Sequence, residues 1–150
     1  MSRSAAREVA VQLTFASINS RQDPEELLER YFTEEYQATL AEENGAICVI
    51  TEEADRDYIF RILRLIDEHR TEIDSSIETY TKGWKLERIS RTALAVLRVA
   101  VCEILFLEDI PDKVSVNEAV NIAKGYDDPE VVSFVNGILG SIVREKKKDE

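Results

Sequence analysis

At 150 residues, 44% hydrophobic and 33% charged, the chain can bury a sizeable core as one domain and is too apolar to stay disordered. Five glycines and three prolines leave little material for the turns of an all-β fold. The net charge of −11 speaks against a uniformly basic nucleic-acid binder, yet residues 25–78 carry −11 while residues 1–24 carry +1 and residues 79–150 carry −1. A basic patch at either end stays compatible with that total, because potential at a face is set within a Debye length of roughly 8–10 Å.

The periodicity is helical almost throughout. A first helix runs from about Ser4 to Asn19. It carries two apolar stripes: Ala6, Val9, Ala10, Leu13 and Ala16 on one side, and Val11, Phe15 and Ile18 nearly opposite. A surface helix needs only one such stripe, so either both sides are buried or the second receives a partner. Arg3 and Arg7 lie four apart on a flank between the stripes, where guanidinium groups suit phosphate. Asp23-Pro24-Glu25-Glu26 starts a second helix, with an N-cap, a first-turn Pro and acids in the first turn. It is expected to reach about Glu43 and to stop at Asn44-Gly45, and Ala46–Ile50 reads as a loop. A third helix begins near Thr51-Glu52-Glu53, and a short fourth spans about Glu72 to Tyr80. Lys82-Gly83 breaks the pattern before Trp84. A long helix from Leu86 to about Glu108 then has apolar residues around much of its circumference, as the central helix of a bundle does.

Two helices follow Pro111. Ser115-Val116-Asn117-Glu118 reads as a capping box, with Val116, Ala119, Val120 and Ala123 as the apolar stripe behind it. Asn117, Asn121 and Lys124 fall off that stripe. Asp128-Pro129 starts the last helix, whose buried stripe is Val131, Val135, Ile138 and Ile142. Phe134 lies about 90° from that stripe, on an edge shared with Gly137. An aromatic ring beside bare backbone, near Lys124, suits stacking of an unpaired RNA base; peripheral core packing is the alternative. Residues 143–150 form a charged tail, read as solvated from Arg144 onward.

Catalysis and metal binding find no support. His69 is the only histidine and falls at a helix end expected to be exposed. Cys48 and Cys102 make no metal-binding spacing and read as thiols in a reducing cytosol. No phosphate-binding glycine loop or nucleophile elbow is present. The most apolar stretch, Thr92–Leu107, is interrupted by Arg98 and Glu103, which disfavours a membrane span. No apolar region follows the N-terminus, so no secretory signal is read there. The expectation is a cytoplasmic, non-enzymatic protein with no cofactor, no catalytic residue and no metal.

Ala6-Arg7-Glu8 with Ala10, Gln12 and Leu13, Leu97-Arg98-Val99-Ala100 with Glu103-Ile104, Ile110-Pro111 before Lys113-Val114, Asn117-Glu118-Ala119 with Ala123-Lys124, and Phe134-Val135-Asn136-Gly137 together resemble the NusB family of transcription antitermination factors. The resemblance covers nearly the whole chain. It implies an all-α fold: a compact bundle of about six to seven helices, in two small subdomains packed together as one RNA-binding domain over 1–150. It implies binding of single-stranded boxA-like RNA with the ribosomal protein NusE, on the elongating RNA polymerase complex, in support of antitermination and ribosomal RNA transcription. The residues that match the family's RNA surface are Arg3, Arg7, Lys124, Phe134 and Asn136. Phe15 matches an aromatic on the NusE surface, within the stripe of Val11, Phe15 and Ile18. Two departures stand out: Ser4 and Ala5 sit where the family often has further arginines, and Phe15 stands where Tyr is common. The alternative is a protein-interaction module or homodimer with little RNA affinity of its own.

Overall fold

A computed structural model describes residues 3–20, 23–31, 33, 53–81 and 88–148. Among them are seven helices: α1 (Arg3–Ser20), α2 (Pro24–Tyr31), α3 (Glu53–Glu68), α4 (Arg70–Thr79), α5 (Arg91–Phe106), α6 (Asp112–Tyr126) and α7 (Pro129–Lys148). The expected loop at Ala46–Ile50, the stop at Asn44-Gly45, the break at Lys82-Gly83, Trp84 and Cys48 lie outside the described residues. The chain divides into two compact units, Met1–Arg64 and Leu65–Glu150, the division falling inside α3.

In the first unit α1 packs on α2. Ala6, Val9, Ala10 and Leu13 are buried, and so are Val11, Thr14 and Ser17, while Phe15 and Ile18 are half-buried. The two stripes thus merge into one face about 200° wide at about 100° per residue, with Phe15 at its rim. Val11, at 3% exposure, belongs to the core and not to a free surface. The expected reach of the second helix to about Glu43 lies outside the described residues beyond Thr33. α2 ends at Tyr31, and the Thr33 hydroxyl donates to the Arg30 carbonyl at 2.8 Å, offering that group an alternative to a further helical turn. Tyr58, Ile59, Ile62 and Leu63 of α3 supply buried apolar mass.

α5 forms the heart of the second unit, packing on α4, α6 and α7. Its first turn is capped by Ser90, whose Oγ accepts from the Ala93 amide at 3.1 Å. The helix so begins at Arg91; the expected start at Leu86 lies outside the described residues. Every residue from Ala93 to Ile104 is buried. Two of them are charged, and each is partnered. The Arg98 guanidinium donates to both Asp74 carboxylate oxygens at 2.9 and 3.0 Å. Glu103, fully buried, accepts from the Ser115 hydroxyl at 2.9 Å. Burying each large aliphatic side chain of α5 contributes about 1.5–3 kcal/mol, against which a charge in that position needs a partner.

The Glu103 contact overturns the capping box. α6 starts four residues earlier than the box predicts, with Pro111 at the N-cap and Asp112 in the first turn, so Ser115 is inside the helix and 1% exposed. The buried stripe accordingly centres on Ser115, Ala119 and Ala123, while Val116 and Val120 are half-buried. α7 begins as read: Asp128 Oδ1 accepts from the Val131 amide at 3.1 Å, with Pro129 in the first turn. Val135, Ile138, Leu139 and Ile142 are its buried side chains. The helix runs on to Lys148, so the charged run is helical. It is not wholly solvated either: Lys146 Nζ donates to the Ile104 carbonyl at 2.7 Å and to Asp112 Oδ1 at 2.9 Å.

Candidate functional site

The long antiparallel neighbours α6 and α7 enclose an open groove of about 690 Å³. One wall is α6, which sends in Asn117, Val120, Asn121 and Lys124, residues spaced three and four apart and so on one helical face. The other wall is α7, with Val132, Ser133 and Asn136. Asp127 and Pro129 close the end at which the two helices are joined. The groove exists because α6 turns its small residues, Ala119 and Ala123, toward the core, and its longer polar residues fall on the opposite flank.

Asn117, Asn121, Lys124, Ser133 and Asn136 are all exposed. Asp127 is less so: its Oδ2 is buried with no hydrogen-bond partner among the described residues. Burial, and then the neighbouring Asp128 charge, push its carboxyl above the ordinary 3.8.

Of the residues proposed from sequence, the groove brings together Lys124 and Asn136. Phe134 is half-buried and does not line it. Two residues along a helix are about 160° apart, so Phe134 and Asn136 flank opposite edges of α7. Gly137 lies between those edges on the exposed side, and a methyl group built on it would meet nothing within 4 Å. Close packing against the described residues therefore does not account for this glycine.

The arginines of α1 are in the other unit. The Arg3 guanidinium lies 4.5 Å from the Tyr58 ring centroid and that of Arg7 lies 5.7 Å from it, both within cation–π range. Arg3 is exposed, but Arg7 is only 3% exposed. The flank read as suited to phosphate is thus buried at Arg7, because the core face of α1 is wider than either stripe alone. Asn117, Asn121 and Ser133 were not among the proposed site residues; their shared flank off the α6 stripe was the available signal for the first two. His69, expected to be exposed, is half-buried, and its ring stacks on Phe106 with centroids 4.3 Å apart. Among the described residues no three His, Cys, Asp or Glu side chains converge to hold a metal, and no helix is long and apolar enough to cross a membrane.

A family model described as the NusB family matches residues 4–144. The chain belongs to the NusB family. The transcription antitermination protein NusB of Clostridium botulinum strain Hall is 38% identical over 143 residues, covering 95% of this chain and 100% of its own. A crystal structure of NusB from T. maritima is 32% identical and superposes with a TM-score of 0.81, covering 99% of this chain and 96% of that one. A further structure, of the antitermination factors NusB and NusE in complex with dsRNA, superposes at 0.76 with 24% identity, over 95% and 96% of the two chains. At that identity it speaks to the NusB fold alone.

Proposed function

We propose that this chain binds boxA-like RNA together with NusE and so holds the RNA on the elongating RNA polymerase complex, acting by binding and catalysing nothing. The observation that carries the reading is the family match across residues 4–144. A solved assembly of NusB and NusE with dsRNA shares this fold, which makes NusE and RNA the partners to test. On this reading Lys124 contacts phosphate, Asn136 a neighbouring base or sugar, and Arg3 a phosphate on the other unit. Phe134 stacks a base beside the bare backbone of Gly137, a contact worth about 1–3 kcal/mol. Arg7, being buried, acts by holding the Tyr58 ring on which Arg3 also lies. Phe15 and Ile18 offer the half-buried rim of α1 to NusE, with Val11 supporting them from the core.

Unpaired RNA is the expected form, because side chains cannot read the deep groove of an A-form duplex. The test is fluorescence anisotropy of labelled boxA RNA, of the duplex of the same sequence and of a scrambled strand, with the protein alone and with NusE added. Preferential binding of the boxA strand that tightens with NusE is expected. No binding to any of the three with NusE present, from folded protein, sinks the reading.

The burial of Arg7 thins the basic surface and favours a second reading, a protein-interaction module or homodimer with little RNA affinity. Salt separates the two, since each phosphate contact on a single strand adds about −0.7 to the slope of log affinity against log salt.

A further inference from the structure

We infer that the α6–α7 groove reads the hydrogen-bonding edge of an unpaired RNA base through the carboxamides of Asn117, Asn121 and Asn136. The inference rests on the RNA-binding reading above and names the residues that give it sequence selectivity.

The three amides are chemically unspent. Asn117, Asn121 and Asn136 are exposed, and among the described residues none makes a hydrogen bond to the rest of the chain. Nothing in the fold requires them: Asn is a weaker helix former than Ala, and these positions lie in the body of α6 and α7, not at caps. Two of them stand one turn apart on α6, and the third faces the same groove from α7. Each amide offers a donor and an acceptor side by side, the pattern that matches the edge of a base and mismatches a phosphate, which only accepts.

Apart from the Asp127 carboxylate at its closed end, the groove carries two further features that suit the same ligand. Val120 and Val132 supply an apolar strip for the flat face of a ring. Lys124, likewise without a partner among the described residues, is the one cation among the described lining residues and can meet the phosphate that links the base to the strand. A positively charged surface would bind any strand; one lysine among three amides weights the groove toward discrimination.

The experiment measures affinity for boxA RNA and for a scrambled strand of equal length, with NusE present, in the wild type and in three variants. These are Asn117→Ala with Asn121→Ala, Asn136→Ala alone, and Lys124→Ala. The amide variants should lower the preference for boxA about five- to a hundredfold and leave the salt slope unchanged. Lys124→Ala should weaken both strands alike and reduce the slope by about 0.7. Ala at exposed helix positions preserves the fold, and circular dichroism melts check it. An unchanged preference in the amide variants overturns the inference while leaving the RNA reading standing. So does a loss of NusE binding with the RNA preference kept, which would make the groove a protein surface. Failure of the wild type to bind either strand overturns the RNA reading, and this inference falls with it.

Discussion

Replacing Ser115 by Asp separates two views of how α6 begins. Asp and Ser are nearly equivalent N-caps, so a Ser115 that capped the helix would tolerate the change within about half a kcal/mol. In the structure Ser115 is 1% exposed and its hydroxyl donates to the carboxylate of a fully buried Glu103 at 2.9 Å. Ser115→Asp removes that donor and sets a second carboxyl against the first without water. Uncompensated charge at such a depth costs about 3–5 kcal/mol. Ser115→Ala removes only the hydrogen bond to a charged group, about 1.5–3 kcal/mol. At roughly 2–4 °C per kcal/mol for a chain of this size, the Asp variant should melt about 6–20 °C below the wild type and the Ala variant about 3–12 °C below it. Thermal and urea unfolding followed at 222 nm measure both. A Ser115→Asp protein as stable as the wild type would refute the burial of this pair and restore the capping box.

Asp74→Ala should cost about 3–5 kcal/mol by stranding Arg98, and adding Arg98→Met should recover part of it, read by a double-mutant cycle in urea. Lys146→Ala should cost about 1–2 kcal/mol through its bonds to Ile104 and Asp112, whereas a solvated tail would lose nothing; thermal melts decide. Gly137→Ala should stabilise the fold by up to about 1 kcal/mol, since the added methyl meets open space, and should weaken RNA binding if a base stacks over that backbone. Asp127 has a folded pKa raised by burial and by Asp128, so the folded state binds the proton more tightly than the unfolded one. Its stabilising contribution is full below 3.8 and is lost as pH rises through the raised value. Asp127→Asn should therefore gain more stability at pH 7 than at pH 3.5, and equal gains at both would count against the shift.

How much the sequence disclosed depended on how local each interaction is. The start of α7 was legible because Asp128 caps a residue three positions away. The start of α6 was misread because the partner of Ser115 is Glu103, on another helix, and a Ser-x-x-Glu spacing does not reveal which carboxylate takes the hydroxyl. The two stripes of α1 were visible, but their union into one broad buried face, with Arg7 inside it, depends on packing. Within the candidate site, Lys124 and Asn136 were named from sequence, while Phe134 was assigned to their neighbourhood although helical geometry sends it to the other edge of α7. The groove itself lies between two helices and so belongs to neither segment read alone.

The dependence of the second unit on α7 also sets a timetable for biosynthesis. Val135, Ile138, Leu139 and Ile142 fill the core around α5, and Lys146 ties the Ile104 carbonyl to the first turn of α6. A nascent chain that has reached only α6 holds an apolar α5 with one side uncovered. From Phe106, the end of α5, to Lys146 is 40 residues, roughly 2–8 s of translation at 5–20 residues per second. Through that interval α5 is a natural client for chaperones at the ribosome exit, and a stall between α6 and α7 would leave its apolar side uncovered.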